Sequence, residues 1–251
     1  MTKSSGLGAR LYVSGSDLSG DVGSLSRIGG GPTPLDVTSI RKAAYERLGG
    51  LRDGALDYQA WFNPAADQAH EVLSALPRTD QIVTYCHRAT IGSPAACCVA
   101  KQLDYAPTRA ADGSLTIAVQ TQANGYGLEW GLLATAATRT DTAATNGASI
   151  DLGAAGSFGL QAYLHVLAFT GTDATVTLQQ SSDDGGGDAF ANVTGGGFTQ
   201  ITGGAPSAQR IQTARDQAVE RYLRVVTTTS AGFTNLEFLV VVAVNPVAVV
   251  F

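Results

Sequence analysis

The residues best suited to chemistry are Cys86, His87, Cys97 and Cys98, where thiols and an imidazole fall close together along the chain. Such donors could hold zinc, which needs ligands converging tetrahedrally from pairs spaced two to four residues apart. Here each pair is adjacent, and adjacent residues on a strand point to opposite faces. The spacing predicts buried, reduced thiols that fill core space and no metal site. The odd total of three cysteines also argues against a disulfide framework. His70 precedes Glu71, but no second histidine follows four residues on, so the helical zinc-protease motif fails. Asp183, Asp184 and Asp188 could offer carboxylates to calcium, yet their spacing is not that of an EF-hand loop, and an acidic turn is expected. Glycines 29–31 lead into Pro32 and Pro34, without the strand before and helix after that a phosphate-cradling loop requires. The expectation is a protein with no catalytic residue, no cofactor and no metal.

Composition points the same way. Hydrophobic residues make up 44% of the 251 and charged residues only 15%, with abundant glycine, which suits a β-rich globular chain. Residues 1–150 carry 12 basic and 13 acidic side chains, and residues 151–251 carry 4 and 8. No basic footprint for gripping nucleic acid results. The N-terminal residues contain no apolar signal core. The apolar run 236–251 is broken by Glu237, Asn245 and Pro246 and falls short of the roughly 18 residues of a membrane span. Neither secretion nor membrane insertion is expected.

Periodicity then predicts the elements that carry these residues. An opening strand is expected near 10–14. A helix is expected over 39–48, with Ile40, Ala43, Ala44 and Leu48 on one face and Gly49–Gly50 as its stop. Strict alternation marks a strand at 56–62, and Asn63–Pro64 opens a second helix striped by Ala66, Ala69, Leu73 and Leu76. Strands follow at 81–88, 95–105 and 115–123, and the Asp112–Gly113 turn predicts a hairpin between 98–106 and 114–123. Residues 15–34 are read as a long Gly/Ser-rich loop, which in a compact domain is usually functional. The small-residue stretch 131–149 is read as a linker between domains 1–147 and 148–251. Beyond it, strands at 160–169, 174–180, 198–201, 209–213, 221–228 and 238–244, separated by Gly-rich turns, predict an all-β sandwich. The fold class is therefore mainly β, an N-terminal β-sandwich with a flanking helix and a C-terminal all-β sandwich.

Alternation also places Gln59, Thr84, Thr116, Gln120 and Gln122 on outward faces. These side chains are neutral and polar. They fit a solvated sheet face, or the wall of a channel through which a charged polymer slides without sticking.

The first half of the chain resembles the major tail-tube proteins of long-tailed, siphovirus-like bacteriophages. The ordered set Asp36-Val37-Thr38, Gly49-Gly50-Leu51-Arg52-Asp53-Gly54, Asn63-Pro64, Asp112-Gly113-Ser114-Leu115 and Asn124-Gly125 carries the resemblance over about residues 8–131. It implies a virion structural protein whose copies form rings, usually hexameric, that stack into a tail tube. DNA would pass through the lumen during ejection without specific binding. Assembly in the host cytoplasm and contacts with tape-measure, tail-terminator and distal-tail proteins are also implied. By analogy 15–34 becomes a ring-stacking loop, with Gly15, Asp17, Asp21, Gly29, Pro32 and Pro34 as contact residues. Gln59, Thr84, Thr116, Gln120 and Gln122 become lumen-facing. The strand 221–226 of the second half resembles jelly-roll or carbohydrate-binding-type sandwiches appended to phage proteins, which implies a decoration domain. Two alternatives stay open: a host-glycan-binding module, disfavoured because no Trp lies after residue 148, and a baseplate or tail-completion protein of the same fold.

Overall fold

Hydrophobic alternation and β-branched runs dominate the chain, and the computed structural model, which describes residues 3–248, is almost entirely strand. In chain order the strands are β1 (Arg10–Val13), β2 (Ser16–Asp17), β3 (Val22–Asp36) and β4 (Arg47–Trp61), then helix α1 (Ala69–Ser74). There follow β5 (Gln81–Cys86), β6 (Pro94–Gln102), β7 (Ala106–Arg109), β8 (Leu115–Val119) and β9 (Thr121–Ala123). The remainder comprises β10 (Glu129–Leu133), β11 (Arg139–Asp141), β12 (Asn146–Asp151), β13 (Leu160–Gly171), β14 (Thr175–Ser181), β15 (Ala191–Gly197), β16 (Ser207–Gln212), β17 (Tyr222–Thr228) and β18 (Phe233–Val244). The mainly β class and its sandwich follow the sequence pattern. The chain divides into two compact units: Met1–Ser19, Thr84–Cys97 and Trp130–Phe251 form unit 1, and Gly20–Val83 with Cys98–Glu129 form unit 2.

Unit 1 is a sandwich. One sheet runs β16-β13-β18-β10-β6-β5-β1-β2, with β11 also on β18, and the facing sheet runs β12-β17-β14-β15. Leu160, Leu164 and Val166 of β13, Phe238, Val240 and Val242 of β18, Val176 and Leu178 of β14, and Leu223 and Val225 of β17 form the core. Alternate residues on β13 and β18 are buried as well, among them Tyr163, His165, Leu239 and Val241. Two-sided burial is why both strands read as near-continuous apolar runs. A half-buried ion pair clasps the two layers. Arg139 Nε and Nη2 donate to the Asp141 carboxylate at 2.8 and 2.7 Å, Arg139 Nη1 donates to the Val225 carbonyl, and Thr227 Oγ1 donates to Asp141 Oδ2. With each charge hydrogen-bonded, the desolvation cost of the pair is offset. Residues 131–149 thus hold β11 and parts of β10 and β12, whereas the sequence reading had no regular structure there. Their strands are short and their side chains small, so local periodicity is weak.

The second buried face of β13 closes around His165. The Gly15 amide donates to His165 Nδ1 at 3.1 Å, which leaves the proton on Nε2, 2.8 Å from Thr84 Oγ1. Thr84 Oγ1 in turn donates to Cys97 Sγ. Gly15 has φ +100° and a side chain there would strike the backbone of Val166 and Ser207, so both its conformation and its close approach require glycine. All three cysteines are buried and free, and burial pushes the Cys86 and Cys98 thiols up to about 12. Asp183 does form the expected acidic turn: its carboxylate accepts the amides of Gly186, Gly187 and Asp188. Among the described residues no three His, Cys, Asp or Glu side chains converge as a metal site, and no helix is long and apolar enough to cross a membrane.

Unit 2 is built on the sheet β3-β4-β8-β7. Leu56, Tyr58 and Ala60 of β4 and Ile117 and Val119 of β8 share its buried face, as the alternation at 56–62 predicts. The expected hairpin forms too: β6 pairs with β9 from Ala100↔Ala123 to Gln102↔Thr121, and β7 pairs with β8. The second predicted helix is shorter than its sequence stripe. Asp67 adopts φ +59°, and α1 starts at Ala69, whose amide donates to Asp21 Oδ2 at 3.0 Å. Asn63 Nδ2 donates to Asp21 Oδ1, so a carboxylate 48 residues away in sequence takes the role expected of a local cap. The first predicted helix, 39–48, does not form. Asp36 Oδ1 accepts the Thr38 amide and hydroxyl, the Val37 amide reaches the Glu46 carbonyl, and the segment closes the β3–β4 hairpin. An amphipathic stripe needs a surface to cover, and Ile40 here is fully exposed.

Burial holds the His165 pKa at about 3 against its ordinary 6.5. Below pH 6.5 the unfolded chain takes up a proton that the native chain refuses, so stability is complete above that value and lost as pH falls. The loss is about 1.4 kcal/mol per pH unit. Urea unfolding at pH 7.5, 6.5, 5.8 and 5.0 should show a decline of roughly 2 kcal/mol by the lowest value, above the range in which carboxylates titrate. A pH-independent midpoint over this window would contradict the neutral, enclosed imidazole.

Candidate assembly surface

Strand pairing on both sides ordinarily satisfies a sheet's backbone and packing buries one of its faces, whereas the outer part of the β3–β4 hairpin is paired only within itself and exposed. The two strands are 15 residues each and pair antiparallel from Val22↔Ala60 to Asp36↔Arg47. β8 joins β4 only along Tyr58–Trp61, and among the described residues β3 has no second neighbour in its sheet. Residues 29–36 of β3 and 47–53 of β4 are exposed or half-exposed throughout. The tip is apolar: Leu35, Val37, Ile40, Tyr45, Leu48 and Leu51 are all large and exposed, Ile40 completely and Leu51 at 83%. Around them lie Arg41, Lys42, Arg47 and Arg52, with a Lys42–Glu46 ion pair at 2.8 Å.

The hairpin is held at its root by a backbone-to-side-chain fit. Gly30 and Gly54 pair directly across the two strands, and a Cβ on either would lie 2.8 Å from Leu128 Cβ. Leu128 therefore packs on bare backbone, a close approach that only glycine at both positions permits. Gly49–Gly50, read as a helix stop, lie with the residues up to Gly54 inside β4.

The second component is the open face of the unit 2 sheet. Register places Ser24, Gln59 and Trp61, Thr116 and Ala118, and Ala106 and Thr108 on it together. Gln59 Nε2 donates to Thr116 Oγ1 at 3.1 Å, and beside them a shallow pocket of about 110 Å³ is floored by Gly23, Ser24 and Trp61. Arg27 and Asp57 sit directly opposite one another in the same register. Asp57 also accepts the Thr121 amide.

The structure distributes the sequence-derived candidates unevenly. Gln59 and Thr116 share the open face; exposed Gln120 follows β8, its amide held by Asp104. Gln122 lies on β9, with Nε2 on Asp53. Thr84 is different: it is fully buried in the His165 network, so its expected outward orientation is corrected. β5 is an interior strand with both faces covered, and alternation there separates two buried sides. Likewise 15–34 is not a loop. Gly15 is enclosed, Asp17 binds Ser19 and lies 3.6 Å from Arg10, and Asp21 anchors α1; Gly29, Pro32 and Pro34 lie on exposed β3. The tip residues 35–51 escaped the sequence reading because their spacing imitated a helix. Trp130 of β10 belongs to unit 1, so the C-terminal sandwich does carry a tryptophan, half-exposed and edge-on to Tyr85.

No protein-family model matches the chain, and no curated protein matches it. Among solved structures, a chain in the virion of a native gene transfer agent particle is 15% identical with TM-score 0.37, covering 48% of this chain and 94% of that one. The Dit protein of phage SPP1, a hub of the adsorption apparatus of phages infecting Gram-positive hosts, is 11% identical with TM-score 0.31, over 94% and 98% of the two chains. A chain of the phage p2 baseplate in its activated conformation is 10% identical with TM-score 0.35, over 95% and 99%. These structures are phage and virion components. At such scores the likeness carries no functional assignment, and the geometry must supply it.

Replacing Gly30 with valine should drive a side chain into Leu128 and destabilise unit 2 by about 1–3 kcal/mol. The check is limited proteolysis within 22–61 together with chemical denaturation. A Gly30→Val chain as protected as the natural one would remove Leu128 as the hairpin's anchor.

Proposed function

We propose that this chain is a structural subunit of a phage-type tail, and that its copies join through the unit 2 sheet and the β3–β4 hairpin into rings that stack as a conduit for DNA. The observation that carries the reading is the hairpin: a strand pair projecting without a third strand, exposed on both faces, with an apolar tip. Isolated two-stranded hairpins are marginal in water, and contiguous exposed apolar groups mark interaction sites. Open strand edges are ready templates for pairing with another copy, and closing a ring removes them. The open face, with Gln59, Thr116 and Ser24, suits a lumen. Neutral hydroxyls and amides leave a polyanion few attractive contacts, whereas a lysine-lined wall would hold it.

Magnitudes indicate why closure matters. Burying Ile40, Leu48 and Leu51 gains about 1.5–3 kcal/mol each, roughly 5–9 together. Association costs about 4–15 kcal/mol in lost freedom before any contact is counted. One tip contact is therefore weak, and repeated contacts in a closed ring are needed for stability. Assembly should be steeply concentration-dependent.

The natural chain should form stacked rings visible by negative-stain electron microscopy, with a matching mass by light scattering. A variant in which Asn-Gly replaces residues 35–48 restores a tight turn between Pro34 and Gly49. It should keep its thermal midpoint within a few degrees, yet stay monomeric. A natural chain that remains monomeric at high concentration would defeat the reading. Single closed rings that never stack would leave the subunit role standing and replace the tube with a baseplate or tail-completion part.

A further inference from the structure

We propose that an apolar cavity in unit 1 is the socket for the hairpin tip of a second copy of this chain. The inference rests on the assembly reading above and names the partner surface within it. The cavity encloses about 660 Å³, and its walls include Trp130, Leu132, Leu152, Phe158, Val242 and Pro246. Tyr85 stands edge-on to Trp130 at 6.5 Å between ring centroids and holds its plane.

Two of the wall's polar groups, Asn245 and Gly156, are already engaged. Asn245 Nδ2 donates to the Phe158 carbonyl at 2.7 Å, and its Oδ1 accepts Gln161 Nε2 at 2.8 Å. The Gly156 amide and carbonyl are both paired with Val219. A saccharide or nucleotide entering this space would lose water and find few converging donors and acceptors in return. An apolar side chain loses nothing by entering, and the size lies within the usual range of ligand pockets.

The same chain carries a matching knob. Ile40, Tyr45, Leu48 and Leu51 are exposed at the tip. The socket's own lining carries no charge, and charge complementarity is confined to its surroundings: residues 27–53 hold 5 basic and 3 acidic side chains, whereas residues 151–251 hold 4 basic and 8 acidic. Knob and socket are different patches, so the joint is head-to-tail. A head-to-tail joint generates rings if its rotation closes and filaments if it does not, which are the two geometries a stacked-ring assembly needs.

Trans-complementation of full-length chains tests this. The tip variant Ile40→Ser/Tyr45→Ser keeps the socket, and Ala155→Arg, at an exposed wall position, keeps the tip. Each alone should fail to assemble at concentrations where the natural chain does so, and an equimolar mixture, raised to a far higher concentration because a single joint is weak, should give a 1:1 complex by light scattering. As an independent readout, Ile40→Cys/Ser157→Cys treated with oxidised glutathione should give a disulfide-linked ladder of multimers; the native thiols are buried, and either single variant should give none. Several results overturn the proposal. If the natural chain assembles and either variant does so equally well, the assembly reading survives and the socket falls. If the mixture forms no complex, or the double-cysteine chain closes only on itself, the tip does not enter a neighbour. Glycan-array binding abolished by Ala155→Arg, with assembly unchanged, assigns the cavity to a saccharide. A natural chain that never assembles removes both readings at once.

Discussion

Backbone amides and carbonyls along a strand edge need partners, and among the described residues the β3–β4 hairpin leaves both of its outer edges without one. The proposed function rests on that deficit. Projecting strands can be solvated, but solvation does not explain a tip that exposes Ile40, Tyr45, Leu48 and Leu51 together. Chains that leave strand edges open usually blunt them with charge, proline or brevity. β3 carries Pro32 and Pro34 toward its outer end, and Val22–Gly31 carries one exposed charge, Arg27, and two register shifts. The short edge strand β7, by contrast, carries Pro107 among four residues.

The two units answer the burial problem differently. In unit 1 both faces of β13 are covered and the two layers are clasped by Arg139 and Asp141, so its stability is internal. Enclosing His165 there has a cost in acid, because an imidazole with no room for a second proton gives up stability once the unfolded chain begins to titrate. In unit 2 the buried side chains come mainly from one face of a four-stranded sheet and a six-residue helix. A rigid unit with a preformed cavity and a unit with an exposed lever are complementary designs. The first keeps its shape on binding, and the second supplies the surface that binding must cover.

Much of this was legible in the residues. Alternation at 56–62 gave β4 its correct faces, the Asp112–Gly113 turn located a hairpin, and the runs at 160–169 and 238–244 marked strands, whose burial on both sides only the structure adds. The failures share a physical cause, which is that local spacing cannot say what covers a surface. Ile40, Ala43, Ala44 and Leu48 have helical spacing, yet all four are left exposed by the described residues. Thr84 alternates correctly between Val83 and Tyr85, but its strand has no outer side. Gly15 and Asp21 looked like loop residues because their partners, His165, Ser207 and Ala69, lie 48 or more residues away.

The glycines illustrate the same point in a form that bears on function. Read along the chain, 29–31 and 49–50 suggest flexibility and a helix stop. In the fold, Gly30 faces Gly54 so that Leu128 can seat on bare backbone, and this fixes where the lever is held. Backbone freedom is therefore spent at the root, while the far end depends on register alone. A lever fixed at one end and unsupported at the other can be aligned by a partner at small cost, because few internal contacts must break first. In the proposed ring, a weak apolar contact at the tip, repeated around the circle, would then suffice to select one assembled geometry.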